Sequence, residues 1–232
     1  MSAADSRSDT PGVEVVRNAR ARRAKLSVDP ASGRVRLTLP LRAPVKPALL
    51  WAEGQQAWIA AQRARLPRPR PLVPGALVPF GDAMLTIEWR EDMPRRIERD
   101  GDMLRCGGPR DGLSRRIETW LKREALRILS AETAEFAARA GVGVTRVAVG
   151  DPRGRWGSCA SSGAIRYSWR LILAPDFVRR ATVAHEVAHR VHMNHGPEFH
   201  ALVDRLDESD PARSRAWLRA NGAALHWVGR ES

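Results

Sequence analysis

Five of the six histidines in this 232-residue chain fall between His185 and His200, within the stretch VAHEVAHRVHMNHGPEFH at residues 183–200. The stretch contains His-Glu-x-x-His. On a helix, residues four apart lie on one face, so His185 and His189 can present two imidazoles to a single zinc ion. Glu186, next to the first of them, can lean over the ion's open position, take a proton from water and deliver it to a leaving amine. Zinc lowers the pKa of that water and polarises a carbonyl, which together allow water-mediated hydrolysis of a peptide bond without an acyl-enzyme.

A catalytic zinc site usually has three protein ligands and one open position. His195 is the candidate third ligand. On a continuing helix it would lie far around the axis from His185, so it can join the same ion only if the helix ends near His192 and the chain folds back. Asn194 and Gly196 suit such a turn, and Pro197 forbids simple helical continuation. Glu198 is an alternative third ligand on spacing alone. His192 reads as a neighbour on the helix, His200 as a peripheral group and His226 as structural. The competing interpretation, a polar helix whose histidines are simply solvated, leaves Glu186 beside the apolar run ATVA without a partner.

Upstream, GRWGSCASSG (residues 154–163) combines a tryptophan, three glycines and small polar residues. Ahead of a metal-bearing helix, an extended segment of this kind can line the cleft and pair with a substrate backbone. Arg155, Trp156 and Ser158 are then rim candidates, and Arg155 or Tyr167 a candidate for stabilising a developing oxyanion. Ordinary core packing accounts for Trp156 equally well. Cys159 as a nucleophile is disfavoured, because no separate base and orienting group accompany it.

These residues need a scaffold. The chain is 43% apolar and 28% charged, the balance of a globular protein with a core of its own rather than a disordered one. Its two cysteines, Cys106 and Cys159, are too few for a disulfide framework and read as thiols in a reducing cytoplasm. No apolar run is long enough to span a bilayer, and the first residues lack a secretory apolar core. The net charge is +13, almost all of it from arginine. Most of the excess lies before residue 141, outside the histidine-rich stretch. Such a charge favours encounters with nucleic acid, although no zinc-finger, KH or RRM pattern accompanies it.

Alternation around Ala24–Val28 and Val35–Leu39, with DPASG between, predicts a hairpin. Residues 46–66 predict a helix, ended by the prolines of LPRPRPLVPGALVPFG. A strand AMLTIEWR follows, and then a hairpin whose turn is signalled by Asp100–Gly101. Helical periodicity runs from Leu113 to Ala140 through Ile117, Leu121, Ala125, Ile128, Leu129 and Phe136, with Gly141 and Gly143 closing it. Two short strands, VTRVAVG and AIRYSWRL, precede the helix introduced by Pro175–Asp176, and a further helix opens at PARSRAW. The expected organisation is a disordered arm over 1–14, a basic β-rich region over 15–112, and a metal-bearing domain over 113–232.

RWGSCASSGAIRYSWRLILAP (155–175) followed by VAHEVAHRVHMNHGPEF (183–199) resembles the YgjP-like metallopeptidase family, which is related to the SprT-type and WLM-type zincins. Weaker echoes lie in RARRAKLSVD, GRVRLTLP, AWI and VPFG. The resemblance implies an α+β fold: a basic β-rich N-terminal region followed by a minimal zincin-like metallopeptidase domain built on the HExxH helix. It also implies Zn2+ as cofactor, His185, His189 and His195 as ligands and Glu186 as general base. A protein or peptide would be the substrate, with no membrane partner and with nucleic acid possible from charge. Ser168, Val187 and His200 depart from residues common in the family at those places. None of the three is a proposed ligand.

Overall fold

A computed structural model of the protein describes residues 12–207 and 210–231. The chain divides into two compact units, residues 1–68 and 69–232.

In the first unit, β1 (Val13–Arg17), β2 (Lys25–Val28) and β3 (Val35–Leu39) form a sheet of order β1-β3-β2. The predicted hairpin is β2 and β3, antiparallel with Val28 opposite Val35. β1 adds in parallel to β3, so Val13 and Glu14 belong to a strand. The rest of the expected arm, residues 1–11, lies outside the described residues. Alternation buries Val35, Leu37 and Leu39 of β3 while Arg36 faces out. The single helix predicted over 46–66 is instead two, α1 (Val45–Glu53) and α2 (Gln56–Arg63). Gly54 lowers helix propensity at the joint, and the N–H of Gln55 turns back to the carbonyl of Ala52 rather than one residue further.

The second unit begins with β4 (Leu77–Phe80), β5 (Ala83–Trp89), β6 (Glu98–Asp100) and β7 (Met103–Cys106), in the order β4-β5-β7-β6. Asp100 pairs with Met103 across the predicted turn, where Gly101 takes φ +57°. The long helix α3 (Leu113–Ala140) matches its predicted limits and is closed by Gly141 at φ +66°, a left-handed cap that suits glycine. Val78, Leu85, Ile87 and Leu104 of this sheet share one core with Ile117, Leu121 and Leu129 of α3. The expected boundary at residue 112 therefore runs through a common core, because the inward face of β4–β7 is covered by α3. The division falls at Arg68–Pro69 instead.

The remaining elements carry the chemistry. β8 (Arg146–Gly150), β9 (Gly157–Cys159) and β10 (Ala164–Ser168) form a sheet of order β8-β10-β9, which leaves β9 at an edge. A 3-10 turn (Trp169–Leu173) leads to α4 (Asp176–Ala188), followed by α5 (Pro197–Leu206) and α6 (Pro211–Leu225). β9 falls within the segment GRWGSCASSG, and α5 has no counterpart among the elements expected from the sequence. α4 buries Val178, Ala181, Val183, Ala184, Val187 and Ala188. It is also anchored to α3 by a buried ion pair, with Arg179 donating to both carboxylate oxygens of Glu132 at 2.8–3.1 Å and to Asp176 at 2.7 Å. Among the described residues, no helix is long and apolar enough to cross a membrane.

Candidate metal centre

α4 ends at Ala188, earlier than the predicted stop near His192. His189 caps it with helical backbone angles, and the N–H groups of Arg190 and Val191 fold back on the carbonyls of Val187 and Ala188 at 2.8 and 3.0 Å. This tight turn reverses the chain, and Pro197 then opens α5 at its first position, where a missing N–H costs nothing. The reversal places His195 Nε2 3.2 Å from His185 Nε2. His185, His189 and His195 each offer a nitrogen within 4.8 Å of the others. Phe199, fully buried on the first turn of α5, supports all three rings at centroid distances of 4.6–4.9 Å.

The ring states suit a cation. His189 Nδ1 lies 3.0 Å from the carbonyl oxygen of His192. A carbonyl only accepts, so Nδ1 carries the proton and the Nε2 lone pair points elsewhere. Burial, followed by the neighbouring His189 and His195 and the field of Arg215, lowers the pKa of His185 to about 4. Burial likewise lowers that of His189. Neutral imidazoles are the form that ligates. Two nitrogens bound to one tetrahedral zinc at roughly 2.0–2.1 Å stand about 3.3–3.4 Å apart, so the 3.2 Å approach of His185 to His195 fits a shared ion.

Glu186 is 6% exposed on the same helix. Among the described residues no hydrogen-bond donor reaches its carboxylate, and burial pushes its pKa up to about 7, with Arg155 pulling the other way. A buried carboxyl group without donors is costly unless it serves a site. Beside it and His185 opens a cavity of about 200 Å³, walled by Trp156 and Gly157 of the β9 segment, Ala181 and Thr182 of α4, Val203 of α5, and Pro211, Ser214, Arg215 and Leu218 of α6.

The family model for the YgjP-like metallopeptidase domain matches residues 22–221, most of the chain. The protein belongs to the YgjP-like metallopeptidase family. No curated protein and no solved structure matches it. Family membership and the histidine cluster together make this YgjP-like protein a metal-dependent peptidase in general terms.

The other residues singled out from sequence fall in different places. His192 is off the helix and contributes its carbonyl to His189; its ring stands 3.7 Å from Glu198. Neither Glu198 nor His200 belongs to the cluster, and both are exposed. His226 is buried against Trp156, with ring centroids 5.5 Å apart. Trp156 therefore both packs and lines the cavity, and Gly222 of α6 makes room for it, since a Cβ there would stand 2.8 Å from the indole. Tyr167 cannot stabilise an oxyanion. It is fully buried, and its hydroxyl is 3.0 Å from Thr133 Oγ1, which itself donates to Leu129. The expectation failed because alternation along β10 does not say which face meets the helices. Cys159 and Cys106 are free thiols, and burial raises the pKa of both, which disfavours nucleophilic thiolate at Cys159.

Sequence reasoning missed Phe199 as the support of the rings and Arg215 as part of the cavity. No local pattern points to either, because one acts through packing and the other arrives on a separate helix. It also missed why position 157 is glycine. A Cβ there would lie 2.4 Å from Glu186 Oε1 and 2.6 Å from its Cγ. Gly157→Ala is therefore expected to displace the carboxylate and lower peptidase kcat by about 100-fold, with metal content unchanged by elemental analysis. Full activity in this variant would show that the carboxylate is not needed where it stands.

Proposed function

We propose that the protein is a zinc endopeptidase in which His185, His189 and His195 hold the ion and Glu186 is the general base. The observation that supports this most is the meeting of three imidazoles beside a buried carboxyl group that no donor reaches among the described residues. An all-imidazole donor set suits zinc, which when bound would activate water and polarise the scissile carbonyl. Glu186 takes the proton of the attacking water and passes it to the leaving amine. Its low-polarity setting brings its basicity close to neutral pH, where such transfer is efficient. The edge of β9 receives the substrate as an added strand, so that main-chain hydrogen bonds hold the peptide without dictating its sequence. Arg155 is exposed and close enough to Glu186 to act on its charge, which supports a role in meeting negative charge that develops on the carbonyl oxygen. The two free thiols fit a cytoplasmic setting.

A second reading, turnover that depends on nucleic acid, is favoured by one observation. Arg146, Arg155 and Arg166 line a cavity on the β8–β10 sheet, and among the described residues none of them forms a salt bridge, although Arg155 lies within the electrostatic reach of Glu186. One experiment addresses both readings: bound-metal analysis with digestion of a peptide library, run with and without DNA. The expected result is about one zinc per chain and cleavage abolished by a chelator and restored by zinc. Cleavage that requires DNA would favour the second reading, and a zinc-loaded wild type that cuts nothing under either condition would overturn both.

A further inference from the structure

The cavity beside His185 and Glu186 has a particular chemical character. Its walls are mixed, with apolar surface from Trp156, Ala181, Val203, Pro211 and Leu218 beside polar groups. Two of its hydroxyls are already engaged, Thr182 donating to the carbonyl of Val178 at 2.9 Å and Ser214 to that of Phe177 at 3.3 Å. His185 and Glu186 belong to the chemistry. That leaves Arg215 as the one cation on the wall, and among the described residues it makes no ion pair or hydrogen bond. The indole N–H of Trp156 is likewise without a partner among the described residues. The Thr182 and Ser214 oxygens can still accept, but the charge that the wall presents apart from Glu186 and His185 is the positive charge of Arg215. Its volume of about 200 Å³ suits one side chain rather than a bulky group.

We infer that this cavity is a specificity subsite for a substrate carboxylate on a short aliphatic stem, with Arg215 as the residue that selects it. The guanidinium can grip a carboxylate through two parallel N–H donors, the apolar part of the wall covers the methylenes, and a lysine or arginine side chain is repelled. The same chemistry is offered by a glutamate or aspartate side chain within a peptide and by the free carboxylate at its end.

This inference builds on the proposed peptidase reading, and two measurements separate them. The first is cleavage by the zinc-loaded wild type of acetylated, amidated peptides that carry Glu, Gln or Lys at one scanned position, alongside the Gln peptide with a free C-terminus. Loss of a charged hydrogen bond corresponds to roughly 10- to 100-fold, so the kcat/KM for Glu over Gln is expected in that range at one position. Arg215→Ala should erase the preference and Arg215→Glu should turn it toward Lys. Preference for the free C-terminus alone would assign the subsite to a chain end.

The second measurement is equilibrium binding of the Glu and Gln peptides to zinc-loaded Glu186→Gln protein, with and without Arg215→Ala. Tighter binding of the Glu peptide that vanishes with Arg215 is expected even if no peptide is turned over. If the wild type cleaves nothing, the peptidase reading fails while this binding result still decides the subsite. Equal binding of the two peptides, or a preference that survives in Arg215→Ala, overturns the inference.

Discussion

Glu186→Gln is expected to lower kcat for peptide hydrolysis by about 10²- to 10⁴-fold while leaving zinc content and KM close to wild type. The amide keeps the size and shape of the side chain but cannot take up the proton. His185, His189 and His195 are untouched by the change, and Phe199 continues to support their rings. Elemental analysis and steady-state kinetics on one preparation check both halves. The pH profile gives a second check. Burial sets the Glu186 carboxyl at about 7 in the metal-free protein, and a bound dication favours its ionised form. The acid limb of kcat/KM therefore lies below 7 in the loaded wild type and disappears in the variant. Retained activity in Glu186→Gln would remove the general-base role.

The second large effect concerns stability. Arg179 and Glu132 are 5% and 7% exposed, and their bidentate pair ties α4 to α3 less than two turns before His185. Burial alone would lower the pKa of Arg179, but hydrogen bonds to Glu132 and Asp176 outweigh it and hold the group firmly charged. Arg179→Ala leaves the Glu132 carboxylate buried without its cation, a change worth about 3–5 kcal/mol of unfolding free energy. Single domains have only about 5–15 kcal/mol in all. Urea denaturation should show the midpoint falling steeply with little change in slope. The double variant Arg179→Met, Glu132→Leu should recover most of the loss, because an apolar pair of similar volume removes the uncompensated charge. A single variant as stable as wild type would show that the pair carries no such load.

The parts of the fold that were legible in the sequence are those where periodicity and punctuation agree. α3 runs between Gly112 and Gly141 as its apolar spacing requires, and β2 and β3 pair across DPASG as alternation predicts. That the chain leaves the helix before His195 could be anticipated from Asn194, Gly196 and Pro197, but the turn itself falls earlier, at Arg190 and Val191, where no glycine or proline marks it. Where the reading fell short, the deciding force was not local. β9 is only three residues long and starts with glycine, so its strand character comes from pairing with β10. Pro197 ends one helical course and begins another, and spacing alone shows only the first. Tyr167 and Arg215 differ in role because one strand face meets α3 and one turn of α6 reaches the cavity, which are facts of packing.

The five residues between His189 and His195 act as a ruler. They set the reach of the outlying imidazole, and through the carbonyl of His192 they also fix which nitrogen of His189 faces inward. An insertion or deletion here would misalign two donors together, so spacing is more tightly constrained than composition across a segment whose side chains, such as Val191 and Met193, face largely outward. Changes at the outward Val191 and Met193 are expected to matter less than a change of length, whereas Arg190 is held by its hydrogen bond to the carbonyl of Gly143.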